Sequence, residues 1–257
     1  MSVTASPPRV FTRDDGRERI GIGFWKGVLT TLAALAIGFV AAVIAAIALV
    51  LAVHRITGHA PSTNPGHPLA AVIGLVFYAA AGAFAWWRLR TPSWSPLHRP
   101  TAYDMRVVLI GVGALILVRI GLVVQLIVTH QTKHVQSGFE HFDVVTKNPT
   151  MTAIGVSLGI LTMVVVAPIV EEIIFRGLLF GALAPRLGVL GGAFITALLF
   201  GAAHGDLILF PTLAALGFVA ALAYAATGNL TVAIALHAIN NSVGAAALVG
   251  MSLRHHA

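Results

Sequence analysis

The chain has 257 residues, of which 58% are hydrophobic and 10% charged, and its mean hydropathy is +0.91. An ordinary soluble domain carries roughly 25% charged residues, so this composition excludes that class and indicates a polytopic membrane protein. The net charge of +7 does not indicate nucleic acid, because the basic residues lie between the apolar runs and form no basic stripe. The chain has no cysteine, which excludes disulfide bonds and thiolate chemistry.

Apolar runs long enough to cross the hydrocarbon core, about 20 residues each, recur along the chain. In order, the predicted spans are 28–53, 69–87, 105–129, a long region 151–184, 189–204, 209–227 and 230–249. The long region would measure about 50 Å as one helix, which exceeds one upright crossing, so Pro168 is expected to kink or divide it. The sequence therefore predicts an all-α helix bundle with seven to eight transmembrane helices and a buried polar active site.

The distribution of basic residues predicts the orientation of this bundle. Lysine and arginine are abundant in the N-terminal tail and sparse in the first loop, which places the N-terminus in the cytoplasm. The first apolar run is too long for a signal peptide, so we expect no cleaved signal. Richness in alanine, glycine and valine favours a bacterial source, and hence a bacterial inner membrane as the location.

Two adjacent glutamates and an arginine stand in the most apolar part of the chain. From residue 151 to residue 250, the charged side chains are Glu171, Glu172, Arg176, Arg186 and Asp206. An ionised group at the centre of a membrane helix costs at least ~2.5 kcal/mol, so such groups are rare unless they are paired or used. Glu172 and Arg176 are one helical turn apart in the orientation that favours an ion pair, whereas Glu171 projects about 100° away. Glu171 is therefore the carboxylate predicted to do chemistry.

Two later spans carry polar side chains at one-turn spacing. His204 follows Phe200 by four residues, and His237 and Asn241 share a helix face. Measured from the predicted hairpin turns at ~1.5 Å per residue, Glu171 and the polar residues of both later spans lie roughly 13 to 24 Å deep. The sequence thus predicts that three helices bring an acid, two imidazoles and an amide together in one buried pocket.

These side chains are the parts of a hydrolase that activates water. A carboxylate in a low-dielectric site can serve as a general base, and a neutral histidine beside it can hold and polarise the water. His237 and Asn241 offer N–H donors that could stabilise an oxyanion. Covalent acyl transfer is disfavoured, because the chain has no cysteine and no serine in a Gly-x-Ser-x-Gly setting.

Three ordered motifs carry a resemblance to a known family. They are Glu171-Glu172-x-x-x-Arg176, Phe200-x-x-x-His204 and His237-x-x-x-Asn241. Together they resemble the motifs of the CPBP family, the CAAX prenyl protease and bacteriocin-processing (Abi) intramembrane endopeptidases. The resemblance implies that Glu171 and His204 activate water and that His237 and Asn241 form the oxyanion site. It further implies that Glu172 and Arg176 support this site.

The resemblance covers the C-terminal part of the chain and suggests a division into four parts. These are a cytoplasmic tail 1–27, three transmembrane helices with loops 28–150, a CPBP-type catalytic helical core 151–250 and a C-terminal tail 251–257. The expected partners are a peptide or membrane-protein substrate and the lipid bilayer, with no nucleic acid.

Other interpretations remain open at this point. A glutamate and two histidines could bind zinc, but the chain has no His-Glu-x-x-His motif, so we predict no cofactor and keep zinc as the alternative. A membrane scaffold or bacteriocin-immunity protein of the same fold would bind a peptide without cleaving it. A proton-coupled transporter is disfavoured, because it would consist of two repeated halves and the polar residues lie in the C-terminal half alone.

Overall fold

The computed structural model describes residues 23–59, 68–89, 97, 99–130 and 149–255, and the elements in these ranges are all helical. The α-helices are α1 Phe24–Thr57, α2 Pro68–Leu89, α3 Ala102–Val128, α4 Pro149–Leu161, α5 Ala167–Glu172, α6 Gly181–Ala203, α7 Phe210–Thr227 and α8 Leu230–His255. Two π-helical segments, Thr162–Val166 and Ile173–Phe180, connect α4 to α5 and α5 to α6. The predicted all-α class is confirmed.

Five of the described helical stretches are long and apolar enough to cross a membrane. They are Phe24–Thr57, Pro68–Leu89, Ala102–Val128, Ala153–Ala203 and Phe210–Thr227, and a shorter apolar helix, Leu230–Ala246, follows them. The polytopic bundle is thereby confirmed, while the count of seven to eight crossings stays a prediction. Predictions for most of the N-terminal tail and for the loop 131–148 lie outside the described residues.

The longest stretch, Ala153–Ala203, is interrupted at Gly188. The backbone there has φ 73° and ψ 165°, which glycine adopts readily because it has no Cβ. The chain folds back so closely that a Cβ on Gly192 would lie 2.8 Å from the Cα of Ala184. The hairpin turn that the sequence predicts near these residues is therefore present.

Pro168 acts on the same stretch through its missing N–H. The N–H of Ala167 donates to the carbonyl of Thr162, five residues earlier, which is π-helical pairing. The next donor in that pattern would be residue 168, but proline cannot donate to the carbonyl of Met163. Asn241 of α8 does so instead, with its Nδ2 2.9 Å from that oxygen. The side-chain amide thus satisfies a backbone acceptor that hydrocarbon could not satisfy.

The described part of the chain divides into two compact units, each built from three separate segments. The first unit comprises Met1–Thr31, Ala85–Val124 and Glu171–His237, and the second comprises Leu32–Phe84, Gln125–Val170 and Ala238–Ala257. Within the second unit, helices approach at glycines: a Cβ on Gly38 would lie 2.9 Å from the carbonyl oxygen of Phe77. Such small-residue contacts are how helices pack closely in lipid, where apolar burial drives no association.

Within the first unit, helix ends meet at two places. The guanidinium of Arg186 lies 4.4 Å from the ring centroid of Phe24, so the start of α1 adjoins the turn at Gly188. The Nδ2 of Asn229 lies 3.3 Å from Oδ2 of Asp104, so the start of α3 adjoins the turn before α8. Seven residues further along both helices, a Cβ on Gly111 would lie 2.7 Å from Leu236, so α3 and the first part of α8 run parallel. The start of α3 and the start of α8 therefore lie at the same end of this helix pair.

The close approach at Gly192 predicts a stability change. Gly192→Ala is expected to lower the free energy of unfolding by about 1–3 kcal/mol, the usual result of adding a methyl group where no space exists. Its unfolding midpoint in detergent can be compared with that of Gly113→Ala, where a Cβ would have no neighbour within 4 Å. Equal midpoints for the two variants would contradict the observed hairpin packing.

Candidate active site

A buried ion pair lies at the base of the candidate site. The Nε of Arg176 is 3.0 Å from Oε2 of Glu172, and the two side chains are 1% and 0% exposed. The second arm of the guanidinium donates from Nη2 to the carbonyl of Gly217 at 3.0 Å. Glu172 rather than Glu171 forms the one-turn pair, as the helical spacing predicts. Removing one partner would leave a buried charge, which typically costs about 3–5 kcal/mol.

His237 lies between the two glutamates. Its Nδ1 is 2.9 Å from Oε1 of Glu172, and its Nε2 is 3.8 Å from Oε2 of Glu171. Because Glu172 is paired with Arg176 as an anion, it can only accept, so Nδ1 of His237 carries the hydrogen. In the neutral ring, the lone pair of Nε2 then faces Glu171.

His204 is oriented by the end of α6. Its backbone N–H donates to the carbonyls of Gly201 and Ala202, which leaves the carbonyl of Phe200 without the usual donor four residues on. The Nδ1 of the His204 ring takes that place, 2.8 Å from the Phe200 oxygen. Gly205 follows with φ 69°, a left-handed conformation that commonly ends helices. Since a carbonyl can only accept, Nδ1 of His204 also carries the hydrogen.

The two imidazoles converge on one carboxylate oxygen. Oε2 of Glu171 lies 3.9 Å from Nε2 of His204 and 3.8 Å from Nε2 of His237. These separations exceed the 2.7–3.2 Å of a direct hydrogen bond, but one water molecule could contact all three atoms. The side chains of His204 and Glu171 are 32% and 14% exposed, so the cluster is accessible beside His204 and closed at His237, which is 2% exposed. The structure thus brings these three residues together, while their catalytic roles stay predictions.

The side chains of Glu171, His204 and His237 can be compared with the ligands of a zinc site. No group of three or more His, Asp or Glu side chains in the described ranges is arranged to hold a metal ion. Ligands at tetrahedral zinc stand about 3.4 Å apart, because each bond is roughly 2.0–2.1 Å long. The observed separations of 3.8 and 3.9 Å would have to shrink by about half an ångström for these atoms to bind zinc. That the site uses no metal stays a prediction.

Asn241 follows His237 by one turn of α8 and belongs to the second unit. Its Nδ2 donates to the carbonyl of Met163, and its Oδ1 accepts from Nδ2 of Asn240 at 3.2 Å. Its role as an oxyanion donor therefore stays a prediction beside an observed structural contact. Sequence reasoning missed that contact because a backbone carbonyl leaves no side-chain pattern. Pro168, five residues after Met163, is the signal that could have revealed it.

Comparisons with known proteins address the same part of the chain. Residues 153–243 match the family model described as type II CAAX prenyl endopeptidase Rce1-like. "Putative membrane peptidase YdiL" of Bacillus subtilis (strain 168) is 38% identical over 87 residues, which make up 34% of this chain and 36% of that protein. The match thus spans about a third of the relative's length. No solved structure matches the chain.

The matched segment contains all three motifs, from the paired glutamates of α5 to the His237 and Asn241 turn of α8. The resemblance that the motifs carry is therefore confirmed by the whole-segment match. Residues 153–243 are thus similar in sequence to the type II CAAX prenyl endopeptidase Rce1-like family.

Proposed function

We propose that this protein is an intramembrane endopeptidase that hydrolyses a peptide bond with a water molecule activated by Glu171. The observation that carries the proposal is the convergence of two imidazole Nε2 atoms on Oε2 of Glu171, at 3.8 and 3.9 Å. This cluster places one carboxylate oxygen and two imidazole nitrogens around a position that one water can occupy, on a partly exposed edge where a substrate can approach. The match to the CAAX prenyl endopeptidase-like family supports the same reaction class.

Water activation is assigned to Glu171 and His204. With Nδ1 of His204 donating to the Phe200 carbonyl, its Nε2 lone pair can accept one hydrogen bond from the water. Glu171 removes the other proton as the water oxygen attacks the carbonyl carbon of the substrate. It then returns this proton to the leaving amine as the carbon–nitrogen bond breaks, so the carboxylate is regenerated.

Stabilisation of the oxyanion is assigned to His237 and Asn241. Nε2 of His237 can donate only when the ring carries both protons, and Nδ1 then still donates to Glu172. Asn241 donates one amide hydrogen to Met163 and has a second on the same nitrogen. Arg176 supports the arrangement by holding Glu172 in place.

The proposed substrate is a peptide or the membrane-proximal part of a membrane protein, because the cluster belongs to helices that are apolar enough to cross a bilayer. We place the protein in a bacterial inner membrane, with its N-terminus in the cytoplasm. The contact of Phe24 with Arg186 supports this orientation, because it brings the start of α1 next to a basic turn and basic residues favour the cytoplasmic side.

Cleavage of a fluorogenic peptide library by the purified protein tests the reaction. Glu171→Gln and His204→Gln are each expected to lower kcat by about 100 to 10,000-fold, the usual contribution of general acid–base catalysis. Asp206→Asn is the matched control, because Asp206 accepts from the N–H groups of Ile208 and Leu209 and asparagine can keep these bonds. The assay is repeated with a strong chelator, which we expect to leave the rate unchanged.

Two results of this assay would contradict the proposal. Equal cleavage by the parent and by both site variants would remove Glu171 and His204 from the mechanism. A parent protein that binds peptides from the library but cleaves none would favour the non-proteolytic scaffold.

Asn241 has a predicted catalytic role and an observed structural one, which different measurements separate. Asn241→Ala is expected to lower kcat about 100 to 1,000-fold if it loses an oxyanion donor, and to lower unfolding stability by about 1–3 kcal/mol because the Met163 carbonyl loses its partner. Ser242→Ala on the adjacent exposed position is the control. Lower stability with full kcat would restrict Asn241 to the structural role.

The absence of cysteine makes the orientation directly measurable. Single-cysteine variants His59→Cys, just after α1, and Ala102→Cys, at the start of α3, occupy exposed positions. In intact bacterial cells, a membrane-impermeant maleimide is expected to label the first, whereas the second reacts only after permeabilisation. The parent protein, which has no thiol, is the control. The reverse labelling pattern would invert the proposed topology.

A further inference from the structure

The ring of Phe200 lies against both histidines of the candidate site. Its centroid is 4.8 Å from that of the His204 ring and 5.4 Å from that of the His237 ring, and the side chain is 0% exposed. Its carbonyl oxygen also accepts the hydrogen bond from Nδ1 of His204. One residue therefore contacts His204 through its backbone and both imidazoles through its side chain.

The ring of Phe200 also packs against Arg176, Phe175 and Gly217. The guanidinium carbon of Arg176 lies 4.7 Å from the ring centroid of Phe200, and the ring of Phe175 packs edge-on at 5.1 Å. Gly217 leaves room for this packing, since a Cβ there would lie 3.3 Å from a ring carbon of Phe200. The face of an aromatic ring attracts a cation, and ring edges pack against other rings, so an aliphatic side chain cannot reproduce these contacts.

Within the described ranges, each imidazole forms its hydrogen bond at Nδ1, to the Phe200 carbonyl or to Glu172. A ring held at one atom can still tilt about that atom, which moves its Nε2. The shared contact with Phe200 removes this freedom for both rings at once. We infer that Phe200 is a positioning residue that fixes the two Nε2 atoms at 3.8 and 3.9 Å from Oε2 of Glu171. The inference rests on the proposed function, because positioning matters only if these atoms hold the reacting water.

Replacing the ring with an aliphatic side chain of similar size tests this role. Phe200→Leu is expected to lower kcat about 10 to 100-fold and to leave KM within about 2-fold, because misplacement of reacting groups by an ångström can cost about 100-fold. Phe180→Leu is the matched control. Phe180 is also 0% exposed, and its ring pairs with Tyr224 at 6.3 Å. We expect the control to lose stability and to keep kcat.

A second measurement does not depend on cleavage. Imidazole nitrogen signals of the protein labelled with ¹⁵N-histidine can be assigned with His204→Gln and His237→Gln. Phe200→Leu is expected to shift or broaden both signals, and Phe180→Leu to leave them unchanged. If the parent protein cleaves no peptide, the proposed function fails, and the nitrogen signals still report whether Phe200 holds the rings.

The inference is overturned by a folded Phe200→Leu protein that keeps both kcat and the two nitrogen signals of the parent. Phe200→Met, an unbranched alternative, guards against a folding defect specific to leucine. If neither aliphatic variant folds while Phe180→Leu does, Phe200 is required for the fold itself, and a role confined to positioning is overturned.

Discussion

The buried ion pair between Arg176 and Glu172 is the interaction on which the polar core depends. Neither charge is accessible, so each must be satisfied inside the protein. Arg176 forms an ion pair with Glu172, donates from Nη2 to the carbonyl of Gly217 and lies over the face of Phe200. Glu172 faces Arg176 through Oε2 and accepts from Nδ1 of His237 through Oε1. The same contacts that neutralise two charges thereby orient the imidazole of α8 toward Glu171.

The functional side chains lie where regular helical hydrogen bonding is interrupted. His204 is oriented because α6 ends at this point and leaves a carbonyl to accept from its ring. Arg176 lies in the second π-helical segment, whose eight residues are all buried. Asn241 donates to a carbonyl that the first π-helical segment and Pro168 leave without a backbone donor. In an apolar phase, a backbone carbonyl without its helical donor needs another partner, and His204 and Asn241 supply that partner at two of these places.

Side-chain spacing was sufficient to predict the broad arrangement. The fixed rise of an α-helix places Glu171, His204 and His237 at similar depths once the hairpin turns at Gly188 and Gly228 are recognised, and the structure brings the three together. The one-turn rule likewise predicts the pair of Glu172 with Arg176. The π-helical segments and the Nδ1 partner of His204 could not be predicted in this way. They depend on backbone carbonyls, which every residue has and which no motif distinguishes.

Pro168 and Asn241 are distant in the chain, yet they serve the same carbonyl. A residue with a backbone N–H at position 168 could donate to the Met163 carbonyl, so the amide of Asn241 would no longer be needed there. Loss of the amide while Pro168 is still present would leave that carbonyl without a hydrogen-bond donor in an apolar environment. The order in which the two positions change therefore decides whether the intermediate protein is tolerated. Such epistasis restricts the mutational routes open to a segment that must also keep Glu171 three residues beyond the proline.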